Sequence, residues 1–174
     1  MGSGQVTVFG SAQVRPGDDT YQQALRLGRL LAEAGYAVCT GGYAGVMEAV
    51  SRGAAEAGGT AVGVTMEPWA SRRTANTWLT REVSAPHLFE RLHCLIDSDA
   101  YIAMEGGPGT LGEVAITWNL FQTESIPIRP LILVGDPWRR VIQCLGTGIR
   151  IEARDLELLQ FVDTVDEVVP MLRR

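Results

Sequence analysis

Apolar runs and amphipathic segments alternate along this chain, as strands and helices do in an α/β protein. Short, mostly apolar runs rich in β-branched residues predict strands at residues 5–9, 36–40, 60–65, 101–104 and 130–134. Apolar positions at helical spacing predict helices over 18–35, from about 46 to 58, from 84–86, from 110, over 138–145 and over 165–172. Weaker patterns indicate short strands at 78–83 and 159–162.

Two of the predicted helices carry a defined apolar face. The helix that begins near Pro86 is expected to bury Leu88, Phe89, Leu92, Leu95 and Ile96. The helix from Thr110 is expected to bury Leu111, Val114, Ala115, Trp118 and Phe121. On its opposite side lie Glu113, Ile116 and Leu120, and apolar groups there indicate a further covering layer, which we interpret as a second subunit.

The alternation of elements predicts the fold class. Strands separated by helices favour a doubly wound, mostly parallel sheet with helices on both faces, and 174 residues fit a single domain spanning 1–174. Right-handed crossovers bring the carboxyl ends of such strands, and the turns that follow them, to one edge where ligands bind.

Three of these turns are rich in glycine. Their residues are Gly10 and Ser11 after the first strand, Gly41, Gly42, Gly45 and Met47 after the second, and Gly106, Gly107, Gly109 and Thr110 after the run at 101–104. A glycine turn that leads into a helix points free backbone amides at one place, which suits a phosphate. The alternative for the last turn is a simple tight turn, or a capping box in which Thr110 caps the helix and Glu113 bonds back to it.

Arginine is the only strong cation of this sequence. All fifteen Lys+Arg residues are arginine, so the chain lacks the lysine that a Schiff base or a P-loop requires. Arg91 borders the apolar face of its helix and can reach a cleft or pair with a carboxylate. Residues 67–77 have no clear period and contain Arg72 and Arg73. We interpret this segment as a mobile loop, either solvated or covering a site and contacting an anion.

Composition excludes several classes of function. A net charge of −5 disfavours binding to a nucleic acid polymer, and no apolar run is long enough to span a membrane. We expect no secretory signal, a cytoplasmic location and three reduced, buried cysteines. His87 and His93 lack a metal-binding spacing, so we expect no metal and no cofactor.

One motif resembles a known enzyme family. The sequence from Gly106 to Glu113, Gly-Gly-Pro-Gly-Thr-Leu-Gly-Glu, resembles the Gly-Gly-x-Gly-Thr-x-x-Glu signature of the Lonely Guy family of cytokinin-riboside 5′-monophosphate phosphoribohydrolases, often mislabelled lysine decarboxylases. The turn at 40–47 and Phe9-Gly10-Ser11 are similar to its other two turns. The chain departs from the family pattern at Glu105, which stands where proline is usual, and at Leu92, where lysine is usual.

The resemblance implies a Rossmann-like, nucleotide-binding homodimer that hydrolyses the N-glycosidic bond of a nucleoside 5′-monophosphate. Arg91 and Glu113 would be catalytic. Gly107, Gly109 and Thr110 would hold the phosphate, while Ser11 and the turn at Gly41 and Gly42 would hold other polar groups. Two alternatives remain: a non-catalytic carrier or sensor of a phosphorylated ligand, similar to molybdenum-cofactor carriers, and a structural dimer with an inert site.

Overall fold

Seven parallel strands form the centre of the protein. The computed structural model describes residues 4–173, and its strands are β1 (Gly4–Phe9), β2 (Tyr36–Thr40), β3 (Ala61–Met66), β4 (Arg81–Ala85), β5 (Ala100–Ala103), β6 (Leu131–Val134) and β7 (Gln160–Val162). They pair in the order β4-β3-β2-β1-β5-β6-β7, and all six pairings are parallel. The prediction of a doubly wound α/β fold is confirmed.

Helices cover both faces of the sheet because the strands alternate their side chains between two cores. The helices are α1 (Asp19–Glu33), α2 (Val46–Glu56), α3 (Leu88–Ile96), α4 (Pro108–Gln122), α5 (Asp136–Gly148), α6 (Ala153–Leu156) and α7 (Val168–Leu172). Val6 and Val8 of β1 join the core under α1, α2 and α7, whereas Phe9 joins the core under α3, α4 and α5. None of the helices within residues 4–173 is long and apolar enough to cross a membrane.

The strand order places a topological switch point between β1 and β5. The chain leaves β1 toward β2 on one side, and returns to pair β5 on the other side of β1. The two turns that follow these strands are tied together, since the Ser11 amide donates a hydrogen bond to the Glu105 carbonyl at 3.0 Å. In doubly wound sheets, ligands bind outside the strand ends at this point.

Element boundaries differ from the sequence prediction around β4. The predicted strand at 78–83 lies at Arg81–Ala85, and the following helix begins only at Leu88. His87 caps that helix, because its imidazole accepts a hydrogen bond from the Glu90 amide. The closing segment is a 3₁₀ turn at Val165–Glu167 followed by α7, which continues past Pro170.

Several residues predicted to be buried are exposed. Leu111 is 40% exposed and Ala115 is also exposed, because the buried face of α4 is formed by Thr110, Val114, Thr117 and Phe121. Apolar side chains surround most of this helix, so spacing alone did not identify the core face. Leu88 and Phe89, in the first turn of α3, are exposed as well, because the buried face of this helix is formed by Arg91, Leu92, Leu95 and Ile96.

Candidate functional site

The three glycine turns meet in one cleft at the carboxyl edge of the sheet. The cleft has a volume of about 510 Å³. Of the residues predicted for the site, those that line it are Gly10, Ser11, Gly41, Met47, Arg91, Gly106, Gly107, Gly109, Thr110 and Glu113. Gly42 and Gly45 do not line it; they pack closely against Thr65 and Ser11, respectively.

The α4 turn presents its amides to the cleft. Gly107 is the N-cap and Pro108 the first helical residue, so the alternative that Thr110 caps the helix is wrong. The Leu111 amide bonds back to the Gly107 carbonyl at 3.0 Å. The amides of Gly107, Gly109 and Thr110 precede the first intrahelical donor and are therefore available to an anion.

The α2 turn is held by its neighbours. The Val46 amide donates to the Ser11 carbonyl at 2.8 Å, and the Gly42 amide to the Thr40 hydroxyl at 3.2 Å. Gly45 has φ 73°, and a Cβ there would lie 2.2 Å from the Ser11 carbonyl oxygen. Glycine is required at this position because of both the positive φ and the close approach.

Arg91 connects three elements beneath the cleft. Its side chain is buried, and its Nε donates to the Val64 carbonyl in β3 at 2.9 Å. Nη2 donates to the Gly41 carbonyl at 3.3 Å, and Nη1 lies 3.5 Å from Glu113 Oε1. Since arginine has five N–H donors, two of them remain for a ligand.

Glu113 is a buried carboxyl with one ionic partner. It projects from the second turn of α4 into the cleft, and its side chain is 15% exposed. Burial disfavours the charged form of Glu113 and raises its pKa to about 7. The nearby Arg91 lowers this pKa, but its single long contact does not cancel the effect of burial. A carboxyl with this pKa can exchange a proton at neutral pH.

Residues 67–77 contribute a wall that sequence reasoning only partly identified. The segment begins with a 3₁₀ turn at Glu67–Trp69, and Trp69, Arg73 and Tyr43 line the cleft. The rings of Tyr43 and Trp69 lie 5.9 Å apart. The sequence offers Arg72 or Arg73 as an anion contact, and the structure places Arg73 in the lining, but no local pattern in the sequence marks the two aromatic rings.

Glu105 adds a second carboxylate to the cleft. It lines the cleft beside Gly106, and its Oε2 lies 3.4 Å from the hydroxyl of Thr20 in the first turn of α1. The carboxylate thus faces the amino end of α1, where the helix dipole favours negative charge.

The side chains that commonly bind metals are dispersed in the part of the chain that the structure describes. Across residues 4–173, no group of three or more His, Cys, Asp or Glu side chains could hold a metal ion. The three cysteines are free thiols, of which Cys39 is buried while Cys144 is exposed, so the expectation that all three are buried is wrong.

Comparison with known proteins identifies the family. The model of the SLOG cluster4 family matches residues 3–125, which include all three glycine turns, Arg91 and Glu113. The chain belongs to the SLOG cluster4 family. The resemblance to the Lonely Guy family is thereby confirmed at the level of the SLOG superfamily.

Relatives of this SLOG cluster4 protein share nearly its whole length. It is 28% identical over 152 residues to an uncharacterized protein of Archaeoglobus fulgidus, covering 84% of this chain and 97% of that one. The X-ray structure of TM1055 matches with a TM-score of 0.77 and 30% identity, covering 97% and 98% of the two chains.

The molybdenum cofactor binding protein of Rippkaea orientalis matches with a TM-score of 0.79 and 23% identity, covering 99% of this chain and 97% of that one. At this level of identity the similarity establishes a shared fold.

Proposed function

We propose that this protein hydrolyses the N-glycosidic bond of a nucleoside 5′-monophosphate, releasing the base and ribose 5-phosphate as Lonely Guy enzymes do. One observation carries the proposal: the amino end of α4 and the Arg91–Glu113 pair face the same cleft at the switch point of the sheet. Anion binding and proton transfer are thus available side by side.

The phosphate would bind at the α4 turn. The amides of Gly107, Gly109 and Thr110 would donate to its oxygens, and each charge-assisted bond is worth about 1.5–3 kcal/mol. Binding there would place the ribose above Glu113, which lies about one helical turn further along α4. Ser11 and Gly41 line the adjoining part of the cleft and would contact the rest of the nucleotide.

Glu113 would act during bond cleavage. As the bond between C1′ and the base nitrogen breaks, its electron pair leaves with the base and positive charge develops on the ribose. The ionised Glu113 would stabilise this charge and accept a proton from the water that attacks C1′. The departing base nitrogen takes up a proton from solvent, and Glu113 then returns its proton to solvent. Arg91 would orient Glu113 through the 3.5 Å contact and donate its remaining N–H groups to the nucleotide.

A panel of nucleoside 5′-monophosphates tests this function. We expect release of free base and ribose 5-phosphate from at least one of them. Glu113→Gln preserves the shape of the side chain but cannot accept the proton, so we expect a rate about 10²–10⁴-fold lower. Glu33→Gln, at an exposed position on α1, is the matched control. An unchanged rate in Glu113→Gln contradicts the proposed role.

A second candidate is a carrier that holds a phosphorylated, planar ligand without cleaving it. The aromatic wall of Tyr43 and Trp69 favours this candidate, because it suits a fused ring as well as a nucleobase. The Rippkaea orientalis protein is described as a molybdenum cofactor binding protein. Intact ligand recovered from the purified protein, together with no release of base from any monophosphate, would favour the carrier.

A homodimer and a cytoplasmic location remain part of the proposal. The exposed apolar side chains of Leu111 and Ile116 on α4 support a covering subunit. The molecular mass of the protein in solution tests whether it is a homodimer.

A further inference from the structure

We propose that Arg73 recognises the phosphate group of the ligand, so that the cleft selects phosphate monoesters over their unphosphorylated counterparts. The inference rests on the proposed function in one respect, because it takes the occupant of the cleft to be a nucleoside 5′-monophosphate. It concerns recognition and does not require that the bond be cleaved.

The position of Arg73 is set by aromatic packing. Its guanidinium carbon lies 4.8 Å from the ring centre of Trp69 and 5.8 Å from that of Tyr43, and the residue lines the cleft. Its amide also donates to the Trp69 carbonyl at 2.8 Å. A guanidinium packed on aromatic faces is held by its π surface, which leaves the N–H groups at its edge free to bind.

Arg73 differs from Arg91 in the availability of these donors. Within residues 4–173, the Arg73 side chain makes no hydrogen bond and no salt bridge, whereas Arg91 directs three donors to Val64, Gly41 and Glu113. Arg73 and Arg91 are the two cationic side chains among the residues that line the cleft. Arg73 is therefore the cation with a complete set of free donors.

The charge of the cleft requires such a cation. Glu105 and Glu113 both line it, and the amino end of α4 contributes only about half a positive charge. A phosphate monoester carries close to two negative charges at neutral pH. Arg73 would compensate the charge that the α4 amides leave unbalanced.

The segment that carries Arg73 is fixed to the α2 turn. The Asn76 amide donates to the Gly42 carbonyl at 2.9 Å, and its side-chain amide donates to the Tyr43 carbonyl at 3.1 Å. Tyr43 is itself anchored, since its hydroxyl accepts a hydrogen bond from the Met66 amide at 2.9 Å. Arg73 is thus preorganised at the wall of the cleft, which lowers the entropic cost of binding.

The test measures binding of ribose 5-phosphate by calorimetry, because this probe does not depend on the identity of the base. Arg73→Gln removes the charge at an exposed position, so folding is not at risk. We expect its affinity to fall at least about ten-fold. Arg72→Gln is the matched control: it is exposed and does not line the cleft, and we expect its affinity to change less than about two-fold.

A double-mutant cycle tests how Arg73 is positioned. Trp69→Leu removes the ring that supports the guanidinium, so the affinity should fall more in the native background than in the Arg73→Gln background, where only the packing of Trp69 on Arg91 is lost. Equal affinity of Arg73→Gln and the native protein for ribose 5-phosphate overturns the inference, as does the absence of any binding by the native protein. If ribose 5-phosphate binds through Arg73 but no monophosphate is hydrolysed, the inference stands and the proposed hydrolase function fails.

Discussion

The turns before α2 and α4 are both rich in glycine, but the structure uses their glycines differently. In the α2 turn, a Cβ at Gly41 would lie 2.1 Å from Arg91 Nη2, and one at Gly45 would lie 2.2 Å from the Ser11 carbonyl oxygen. In the α4 turn, a Cβ at Gly107 or Gly109 would meet nothing within 4 Å. The α2 glycines let protein groups pack closely, whereas these α4 glycines leave space that a ligand can enter.

The comparison shows that glycine content does not by itself identify a binding turn. The α2 turn is committed to the protein, because Arg91 and Asn76 bond to its carbonyls and its amides donate to Thr40 and Ser11. The α4 turn keeps its first amides uncommitted at the mouth of the cleft. We therefore expect substitutions in the α2 turn to lower the stability of the protein and substitutions in the α4 turn to lower its affinity for the ligand.

The largest effect is expected at Arg91, which links the α2 turn to β3 and to Glu113 of α4. Arg91→Ala leaves the Val64 and Gly41 carbonyls without their donor, which should lower the free energy of unfolding by about 4 kcal/mol. Arg29→Ala, at an exposed arginine with one long ion pair, should cost less than about 1 kcal/mol. Urea unfolding measures both, and equal costs would mean that Arg91 does not support the α2 turn.

The second largest effect is the difference in stability between glycine substitutions in the two turns. Gly45→Ala forces a Cβ into a positive φ and against the Ser11 carbonyl, so we expect a loss of about 3 kcal/mol. Gly107 has φ −99° and open space around it, so Gly107→Ala should cost no more than the loss of a favourable N-cap residue, about 1 kcal/mol. Thermal unfolding of both variants is the measurement. A similar loss at both positions would remove the distinction between the turns.

The third effect is a pH dependence of stability that arises beside the α4 turn. The pKa of Glu113 is about 7 in the folded protein, above the value of 4.5 for a free glutamate, because burial disfavours its charged form. Between these two values the folded state binds more protons than the unfolded state, so stability falls as pH rises and is constant above about 7.

We expect this loss to be about 2–3 kcal/mol between pH 5 and 8, measured by urea unfolding and compared with Glu113→Gln. The variant cannot titrate at this position and should lack the slope. A parallel pH profile for the two proteins would show that Glu113 is not the source of the dependence.

The smallest expected effect is on ligand affinity at the α4 turn. The methyl group of Gly107→Ala would occupy the cleft beside the free amides, and we expect the affinity for ribose 5-phosphate to fall about ten-fold, or about 1.4 kcal/mol. Gly148→Ala adds a methyl to equally open space at the end of α5, away from the cleft, and should leave the affinity unchanged. An unaffected Gly107→Ala variant would argue that the ligand does not contact this turn.

The sequence by itself determined the features that depend on local backbone geometry. The doubly wound sheet followed from the alternation of strands and helices, and the meeting of the turns after β1, β2 and β5 followed from parallel strand order. A backbone position with positive φ, such as that of Gly45, favours glycine, and a glycine of this kind can be recognised from a short stretch of sequence.

Only the tertiary structure decided which side chains meet and which faces are buried. Arg91 and Glu113 are 22 positions apart in the sequence, and Arg73 and Tyr43 are 30 positions apart. No local spacing could therefore predict either contact. Leu111 proved exposed because α4 is apolar on several sides, and packing against the sheet selected the face with Val114 and Phe121. Local patterns fix the backbone, but the partners of a side chain depend on elements that the fold brings together from distant parts of the chain.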